Sequence, residues 1–142
     1  MNTGTLFSSK SDEWATPQTF FDRLNRVFHF DLDVCATPDN AKCAVFFTPE
    51  TDGLAQPWTG HRCWMNPPYG REIRRWVQKA DEEAEKGCLV VGLLPARTDT
   101  AWWHEHVVHR ADVHFLRGRL RFGTASESAP FPSAVAIWHG IY

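Results

Sequence analysis

The segment Asn66-Pro67-Pro68-Tyr69 directly follows the apolar residues 63–65, and its side chains suit a planar ring that carries an amino group. Proline fixes φ and has no N–H, so the carbonyls of Asn66 and Pro67 are held outward without a competing donor. The Asn66 side-chain oxygen and the Pro67 carbonyl can accept the two hydrogens of an exocyclic amine and favour its attack on an electrophile. Pro68 sets the loop, and Tyr69 is predicted to stack on the ring, a contact worth about 1–3 kcal/mol per base. The alternative is a Pro-Pro turn with Tyr69 half buried.

Five further blocks flank this box. They are Glu13-Trp14-Ala15-Thr16-Pro17-Gln18, Phe30-Asp31-Leu32-Asp33-Val34, Asp52-Gly53-Leu54-Ala55-Gln56, Leu94-Pro95-Ala96-Arg97-Thr98-Asp99-Thr100 and Ser128-Ala129-Pro130-Phe131-Pro132-Ser133. With the box between the third and fourth blocks, the chain resembles phage-type DNA adenine-N6 methyltransferases of the Dam group over about residues 11 to 139. The resemblance implies a site-specific enzyme that transfers a methyl group from S-adenosylmethionine to the exocyclic amine of a flipped adenine in DNA.

Other functions are compatible with the box alone. The same four residues occur in enzymes that methylate glutamine side chains or the exocyclic amine of guanine, so a protein-glutamine or RNA methyltransferase is one alternative. A catalytically inactive DNA-binding relative is another, because residues 33–38 contain no glycine where the backbone of such enzymes usually approaches the cofactor. A cytosine-ring enzyme is expected to show Pro-Cys, and none of the cysteines follows a proline.

The resemblance also implies which residues line the cofactor site. Related enzymes use a Thr-Pro pair before the first helix, an acid at the end of the first strand and an Asp-x-Leu segment before the box. These features carry over to Thr16, Pro17, Asp33, Cys35, Ala36, Asp52 and Leu54. Asp33 can accept from the amino group of the donor, and Asp52 from its adenine amine. The alternatives are a helix cap at Thr16 and an ordinary turn at Asp52. Glu50 is the candidate for a ribose-binding acid, with a solvated loop acid as its alternative.

The charge of the chain restricts how it could bind DNA. A net charge of −2 and a pI near 6.4 supply no general attraction for phosphate, so DNA contacts must come from local patches. One patch follows the box on a helix, and three arginines alternate along residues 116–122. The predicted DNA contacts are Arg71, Arg97, Arg117, Arg119 and Arg121. The alternatives are a solvated helix face, a charged hairpin edge and a structural ion pair of Arg97 with Asp99 or a neighbour. Base readout is expected from residues 97–101 and 117–133, and the resemblance suggests a short palindrome such as GATC.

Helices and strands that could position these residues alternate along the chain. Apolar residues at helical spacing predict three helices. The first has Phe20, Phe21, Leu24, Val27 and Phe28 on one face, with Thr16 as cap and Pro17 as first helical residue. The second has an inner face of Ile73, Trp76, Val77, Ala80 and Ala84. The third is indicated by Trp102, Trp103, Val107 and Val108. Short apolar runs predict buried strands at residues 31–35 and 88–94 and a short strand at residues 63–65 before the box. Residues 113–116 and 134–138 are predicted as the last strands, paired antiparallel.

This order predicts an α/β protein with a Rossmann-like S-adenosylmethionine-dependent methyltransferase fold, in which a mostly parallel sheet has an antiparallel last strand. Only about ten residues separate Cys35 from Val45, fewer than a helical crossover needs, so the second strand is expected to be trimmed. Ligands of such sheets bind at the carboxyl ends of the strands. The box, the Arg97 loop and the arginine-rich residues are therefore expected to share one rim.

Composition predicts a single catalytic domain over residues 1–142, with residues 1–12 flexible. The absence of an apolar run long enough for a membrane span and of a signal-like amino terminus predicts a soluble protein of the bacterial host cytoplasm. The four cysteines lack Cys-x-x-Cys spacing and are expected to be reduced thiols. No metal is predicted, because His104 and His106 would point about 200° apart on a helix. The sequence indicates no oligomeric state.

Overall fold

A computed structural model describes residues 14–122 and 128–140 of the chain. It contains three α-helices, five strands and one short 3₁₀ turn in these residues. In chain order they are α1 (Gln18–Phe28), β1 (Leu32–Asp33), the 3₁₀ turn (Gly53–Ala55), β2 (Arg62–Met65), α2 (Ile73–Glu85), β3 (Leu89–Pro95), α3 (Ala101–His106), β4 (Asp112–Phe115) and β5 (Ser133–Trp138). Residues 1–12, predicted to be flexible, lie outside the described part of the chain.

The five strands form one sheet in the order β1-β2-β3-β5-β4. Strands β1, β2 and β3 run parallel, whereas β5 is antiparallel to both β3 and β4. The predicted α/β fold, with a mostly parallel sheet and an antiparallel last strand, is confirmed. The predicted antiparallel pairing of the last two strands is confirmed as well.

The chain between β1 and β2 does not form a full second strand. Its residue Phe46 makes a single parallel bridge to Asp33, on the side of β1 away from β2. The expected trimming follows from the short connection, which has no room for a crossover helix. Because neighbours of β1 lie on both sides, the strand order reverses at β1, and the crevice outside the carboxyl ends of β1 and β2 is the place where such sheets bind ligands.

The central strands β3 and β5 and the inner face of α2 carry most of the core. Every residue of β5 is buried, as are the residues of β3 after Leu89. The predicted inner face of α2 is confirmed, since Ile73, Trp76, Val77, Ala80 and Ala84 are all buried. A helix buries a strip of this kind when its apolar residues recur every three to four positions.

The predicted inner face of α1 is wrong at one residue. Val27 is 68% exposed, whereas Phe21 on the same helix is buried. At 3.6 residues per turn, Val27 lies about 120° around the helix from Phe21, outside the strip that faces the sheet. The C-terminal end of α1 lies near the start of β2, because Arg62 Nε donates to Phe28 O. The N-terminal end of α1 therefore points toward the carboxyl ends of the strands.

Candidate active site

A cavity of about 400 Å³ lies at the carboxyl ends of β1 and β2. We call this edge of the sheet, together with the loop that follows β3, the rim. The cavity is lined by residues that follow β1, including Asp33, and by the first three residues of the box after β2. The topology predicts a ligand crevice at this place, and the structure contains one.

Asn66 is the first residue after β2, and its side-chain amide is held at both ends. Nδ2 donates to the backbone carbonyl of Trp14 and to Thr16 Oγ1, the latter at 2.9 Å. Oδ1 accepts from the Tyr69 hydroxyl at 2.7 Å. A backbone carbonyl can only accept, so the NH₂ group must face Trp14 and the oxygen must face the opposite side. Pro67 and Pro68 continue the lining of the cavity beside this amide.

Tyr69 is 1% exposed, so its ring does not line the cavity. The rings of Phe122 and Phe131 pack edge-on against it, with centroids at 6.1 and 5.6 Å. The hydroxyl lies 2.9 Å from Leu93 O as well as 2.7 Å from Asn66 Oδ1, and burial raises the pKa of this phenol well above its usual value. The alternative of a half-buried Tyr69 side chain is therefore wrong, since the side chain is fully buried. Stacking on a base stays a prediction, and it requires this packing to open.

The entry into α1 differs from the sequence-based expectation. The helix begins at Gln18, and Pro17 is the capping residue, with φ −58° and ψ 133°. Phe21 N donates to Pro17 O at 3.1 Å in the first turn. Thr16 therefore lies outside the helix and does not cap it, and its hydroxyl contacts Asn66 instead. Thr16 lines the cavity as predicted, whereas Pro17 does not.

Asp33 places a buried carboxylate in the cavity. It is 2% exposed, and its two oxygens accept from Cys35 N at 3.2 Å and Lys42 N at 3.0 Å. Burial raises the pKa of this carboxyl from 3.8 to about 6, although the two hydrogen bonds and the charge of Lys42 act in the opposite direction. A cationic partner would favour its ionised form. Cys35 and Ala36, also predicted for the cofactor, line the cavity beside it.

Another part of the cavity lining is a tight turn at Asp52. This residue has φ 56°, and its Oδ1 accepts from Leu54 N at 3.2 Å. A Cβ at Gly53 would lie 2.2 Å from Val34 O, so only glycine fits between the turn and the end of β1. The turn considered from the sequence is therefore present. Because Asp52, Gly53 and Leu54 all line the cavity, the turn is compatible with the predicted cofactor role.

Comparison with known proteins shows the family to which the chain belongs. The family model for DNA N-6-adenine-methyltransferase (Dam) matches residues 3–136. The chain belongs to this family. It is 34% identical over 110 residues to the DNA N-6-adenine-methyltransferase of Haemophilus phage HP1, and 34% identical over 111 residues to that of Escherichia phage T1. These alignments cover 76% and 77% of this chain but 64% and 46% of the two relatives, so the chain spans less than two thirds of the length of either relative.

The arginines predicted for DNA binding in this Dam-family chain lie in three segments of the described residues. Arg97 Nη1 donates to Tyr69 O at 2.9 Å, which connects the loop after β3 to the box. Arg71 is exposed between the box and α2. Residues 116–122, which we call the arginine segment, form no strand, and their three arginines are exposed. The segment ends at Phe122, against Tyr69.

Several residues of the cavity were not predicted from the sequence. They are Trp14, Thr37, Asn40, Lys42, Phe47, Thr48, Glu72, Arg75 and Trp76. The helical periodicity of α2 did place Trp76 on the inner face, but it gave no sign that this face reaches the cavity. Phe47 follows the trimmed second strand, and its place beside β1 depends on backbone bonds to Asp33 and Ala36. Arg75 and Glu72, which both line the cavity, form an ion pair at 2.9 Å at the start of α2.

Glu50, the candidate ribose-binding acid, and the histidines of α3 are not among the residues that line the cavity. Glu50 is exposed and does not line the cavity, so the structure agrees with a solvated loop acid and not with ribose binding. His104 Nε2 lies 2.7 Å from Thr98 O, whereas His106 Nδ1 lies 3.2 Å from Asp81 Oδ2. Within residues 14–122 and 128–140, no group of three or more His, Cys, Asp or Glu residues could hold a metal ion.

The four cysteines are free thiols, as the sequence predicted. In the same described residues, no helix is both long enough and apolar enough to cross a membrane.

Proposed function

We propose that this Dam-family protein transfers a methyl group from S-adenosylmethionine to the exocyclic N6 amine of a flipped adenine in double-stranded DNA. The observation that carries the proposal is the oriented amide of Asn66, whose oxygen faces away from Trp14 at the edge of a cavity that contains the buried carboxylate of Asp33. The names of the two phage relatives support the choice of adenine and of DNA.

The box acts on the amine by accepting its hydrogens. The lone pair of an adenine amine is delocalised into the ring, which makes the nitrogen a poor nucleophile. The Asn66 side-chain oxygen and the Pro67 carbonyl would accept one N–H each, which favours the geometry in which the lone pair points out of the ring plane. Pro68 would keep these acceptors in place, since its fixed φ limits the motion of the loop. Preorganised groups of this kind typically change kcat by about 10²–10³-fold.

We assign the methyl donor to the cavity. Asp33 would accept from the amino group of the methionine part, with Cys35 and Ala36 beside it. Leu54 and Trp76 supply apolar surface for the nucleoside part, and Asp52 has a carboxylate at the same side of the cavity. A mostly apolar site with a few directed polar groups is typical of small-molecule binding. When bound, S-adenosylmethionine supplies a methyl group attached to a positively charged sulfur.

DNA binding would depend on the rim, because the chain as a whole is acidic. Arg97 donates to Tyr69 O, and Phe122 at the end of the arginine segment packs against Tyr69. Phosphate contacts by these arginines would therefore bring the target base close to Asn66. Extruding a base from the duplex costs a few kcal/mol, which these contacts must offset. We assign Arg71 to the same surface. Base readout by residues 97–101 and 117–133, part of which lies outside the described residues, belongs to the proposal, as does the cytoplasm of a bacterial host as the place of action.

Labelled S-adenosylmethionine tests the proposal when it is offered with unmodified DNA, DNA already methylated at adenine N6, RNA and protein, followed by mapping of the modified base. We expect label only in unmodified DNA, as N6-methyladenine. Label in glutamine side chains or in RNA would identify one of the alternative methyltransferases. A protein that binds DNA but not the donor in calorimetry would be the inactive relative.

The Asn66→Ala variant tests the role of the box. Its turnover should fall at least about 100-fold, while the Kd for S-adenosylmethionine stays within a few-fold of the wild-type value. Gln78→Ala, on the exposed face of α2, is the matched control and should leave both quantities unchanged. Normal methylation by Asn66→Ala would show that the amide does not activate the amine.

A further inference from the structure

We propose that the hydroxyl groups of Thr16 and Tyr69 are positioning groups that hold the Asn66 amide with Oδ1 presented to the amine. The catalytic consequence rests on the proposed function, but the contacts themselves do not. The resemblance gives Thr16 to the cofactor and Tyr69 to base stacking, so neither assignment contains this role. Thr16 and Tyr69 meet the amide at its two ends, at 2.9 Å from Nδ2 and 2.7 Å from Oδ1.

The bonding capacity of the amide explains why two hydroxyls and a carbonyl hold one orientation. The NH₂ group has two hydrogens, and Trp14 O and Thr16 Oγ1 accept both. If the amide turned by 180°, its oxygen would face the carbonyl oxygen of Trp14, and no donor would lie between these two acceptors. The Tyr69 hydroxyl would then face an NH₂ group while its own proton remained available to Leu93 O. The observed orientation is therefore the one that satisfies every group at the amide nitrogen.

Tyr69 can hold the amide without blocking it. Its hydroxyl has one proton and lies within bonding distance of two acceptors, Asn66 Oδ1 at 2.7 Å and Leu93 O at 2.9 Å. The carbonyl oxygen of an amide also has a second lone pair, so it can accept from the phenol and the amine together.

The surroundings fix both hydroxyls in place. Thr16 is 5% exposed, and Pro17 after it restricts its backbone to extended conformations. The ring of Tyr69 is enclosed by Phe122 and Phe131, and its own backbone carbonyl accepts from Arg97. A hydroxyl carried on so constrained a side chain has few other positions to occupy. The same enclosure leaves the ring no open face on which a base could stack in this structure.

Tyr69→Phe separates the positioning role from stacking, because it keeps the ring and removes only the hydroxyl. If Tyr69 acts by stacking, this variant should have normal kcat. If its hydroxyl positions Asn66, kcat should fall about tenfold, with KM for DNA and Kd for S-adenosylmethionine within about twofold of wild type. Thr16→Val should lower kcat to a similar extent, and Thr16→Ser, which restores the hydroxyl, should recover most of it. Thr59→Val, at an exposed threonine away from the cavity, is the control.

A second measurement needs neither donor nor DNA. In protein labelled with ¹⁵N at asparagine, the side-chain NH₂ signals of Asn66, assigned by their loss in Asn66→Ala, should shift in both Tyr69→Phe and Thr16→Val and return toward wild type in Thr16→Ser. Unshifted signals together with a normal kcat in Tyr69→Phe would overturn the proposal. If the wild-type protein does not methylate DNA, the proposed function fails, and the NMR signals alone still decide whether the two hydroxyls hold the amide.

Discussion

The affinity of the protein for S-adenosylmethionine should fall about tenfold between pH 7 and pH 5, because Asp33 becomes protonated in this range. Burial raises the pKa of this carboxyl to about 6 in the protein without a ligand. An ammonium group in the cavity would bind the ionised carboxylate and not the neutral acid. Binding and ionisation are therefore linked, and the affinity rises as the pH rises through 6.

The size of the effect follows from the titration of one group. If only the ionised form binds, Kd is proportional to 1 + 10^(pKa − pH), which is about 1.1 at pH 7, about 2 at pH 6 and about 11 at pH 5 for a pKa near 6. The α-amino group of the donor stays protonated over this range, since an ordinary α-amine has a pKa of about 7.7–8.0. Cys43, which also faces Asp33, stays a neutral thiol because burial raises its pKa to about 12. Lys42 adds a positive charge that favours the ionised carboxylate.

Calorimetry at pH 5, 6 and 7 measures this dependence directly. At pH 5, titrations in two buffers with different heats of ionisation should also show the release of nearly one proton per donor bound. Asp33→Asn should remove the pH dependence, with Glu82→Gln on the exposed face of α2 as the charge-matched control. Both Asp33 oxygens accept from backbone N–H groups, so the asparagine variant is expected to be less stable and must be checked for folding.

The stability of the protein without a donor should change with pH in the opposite direction to the donor affinity. The pKa of Asp33 is raised on folding from 3.8 to about 6, so the folded state binds the proton more tightly than the unfolded state. The contribution of Asp33 to the free energy of unfolding is therefore largest below about pH 4 and is lost as the pH rises through 6. A wild-type Kd that is constant from pH 5 to pH 7, with no proton release, would refute the assignment of Asp33 to the amino group of the donor.

Two further predictions concern DNA binding and the shape of the cavity. Replacing the three arginines of the arginine segment by glutamine should reduce the magnitude of the slope of log K against log salt by about 2.7, measured by fluorescence anisotropy with duplex DNA. The control Arg26→Gln, at the far end of α1, should leave the slope unchanged. An unaltered slope in the triple variant would exclude phosphate contacts by this segment. Gly53→Ala should lower the free energy of unfolding by about 1–3 kcal/mol in urea titrations and weaken donor binding, because its Cβ would lie 2.2 Å from Val34 O. Gly60 is the control, because it has a φ of 85° and its added Cβ would meet no neighbouring group within 4 Å. Gly60→Ala should therefore lose stability through its backbone alone and keep its affinity for S-adenosylmethionine. Equal affinities of Gly53→Ala and Gly60→Ala for the donor would contradict the role of Gly53 in shaping the cavity.

The sequence predicts those parts of this molecule that depend on local pattern. The inner face of α2 follows from helical periodicity, and the buried strands follow from short apolar runs bounded by polar residues. The trimmed second strand follows from chain length alone, since about ten residues cannot cross a sheet through a helix. The cavity at the ends of β1 and β2 follows in turn from the order of these elements.

Contacts between residues far apart in sequence could not be predicted in this way. Thr16 lies 50 residues before Asn66, and no periodicity connects them. Their contact depends on the path of the chain into α1, and this helix begins at Gln18, one residue later than predicted. The burial of Tyr69 depends on Phe122 and Phe131, which contact its ring from positions outside the helices and strands. The resemblance placed Thr16 and Tyr69 at the site, but only the packing shows which atoms they touch.

The position of Thr16 suggests how the two halves of the site are connected. Its side chain lines the cavity proposed for the donor, and its oxygen accepts from the amide proposed to hold the target amine. With its oxygen committed to Asn66, the Thr16 hydroxyl still has a proton to donate. A ligand that accepts this proton would fix the hydroxyl, and the hydroxyl in turn fixes the amide. Donor binding should therefore restrict the motion of the Asn66 side chain before DNA arrives. In ¹⁵N NMR, addition of S-adenosylmethionine should reduce the mobility of the Asn66 NH₂ group in wild type but not in Thr16→Val.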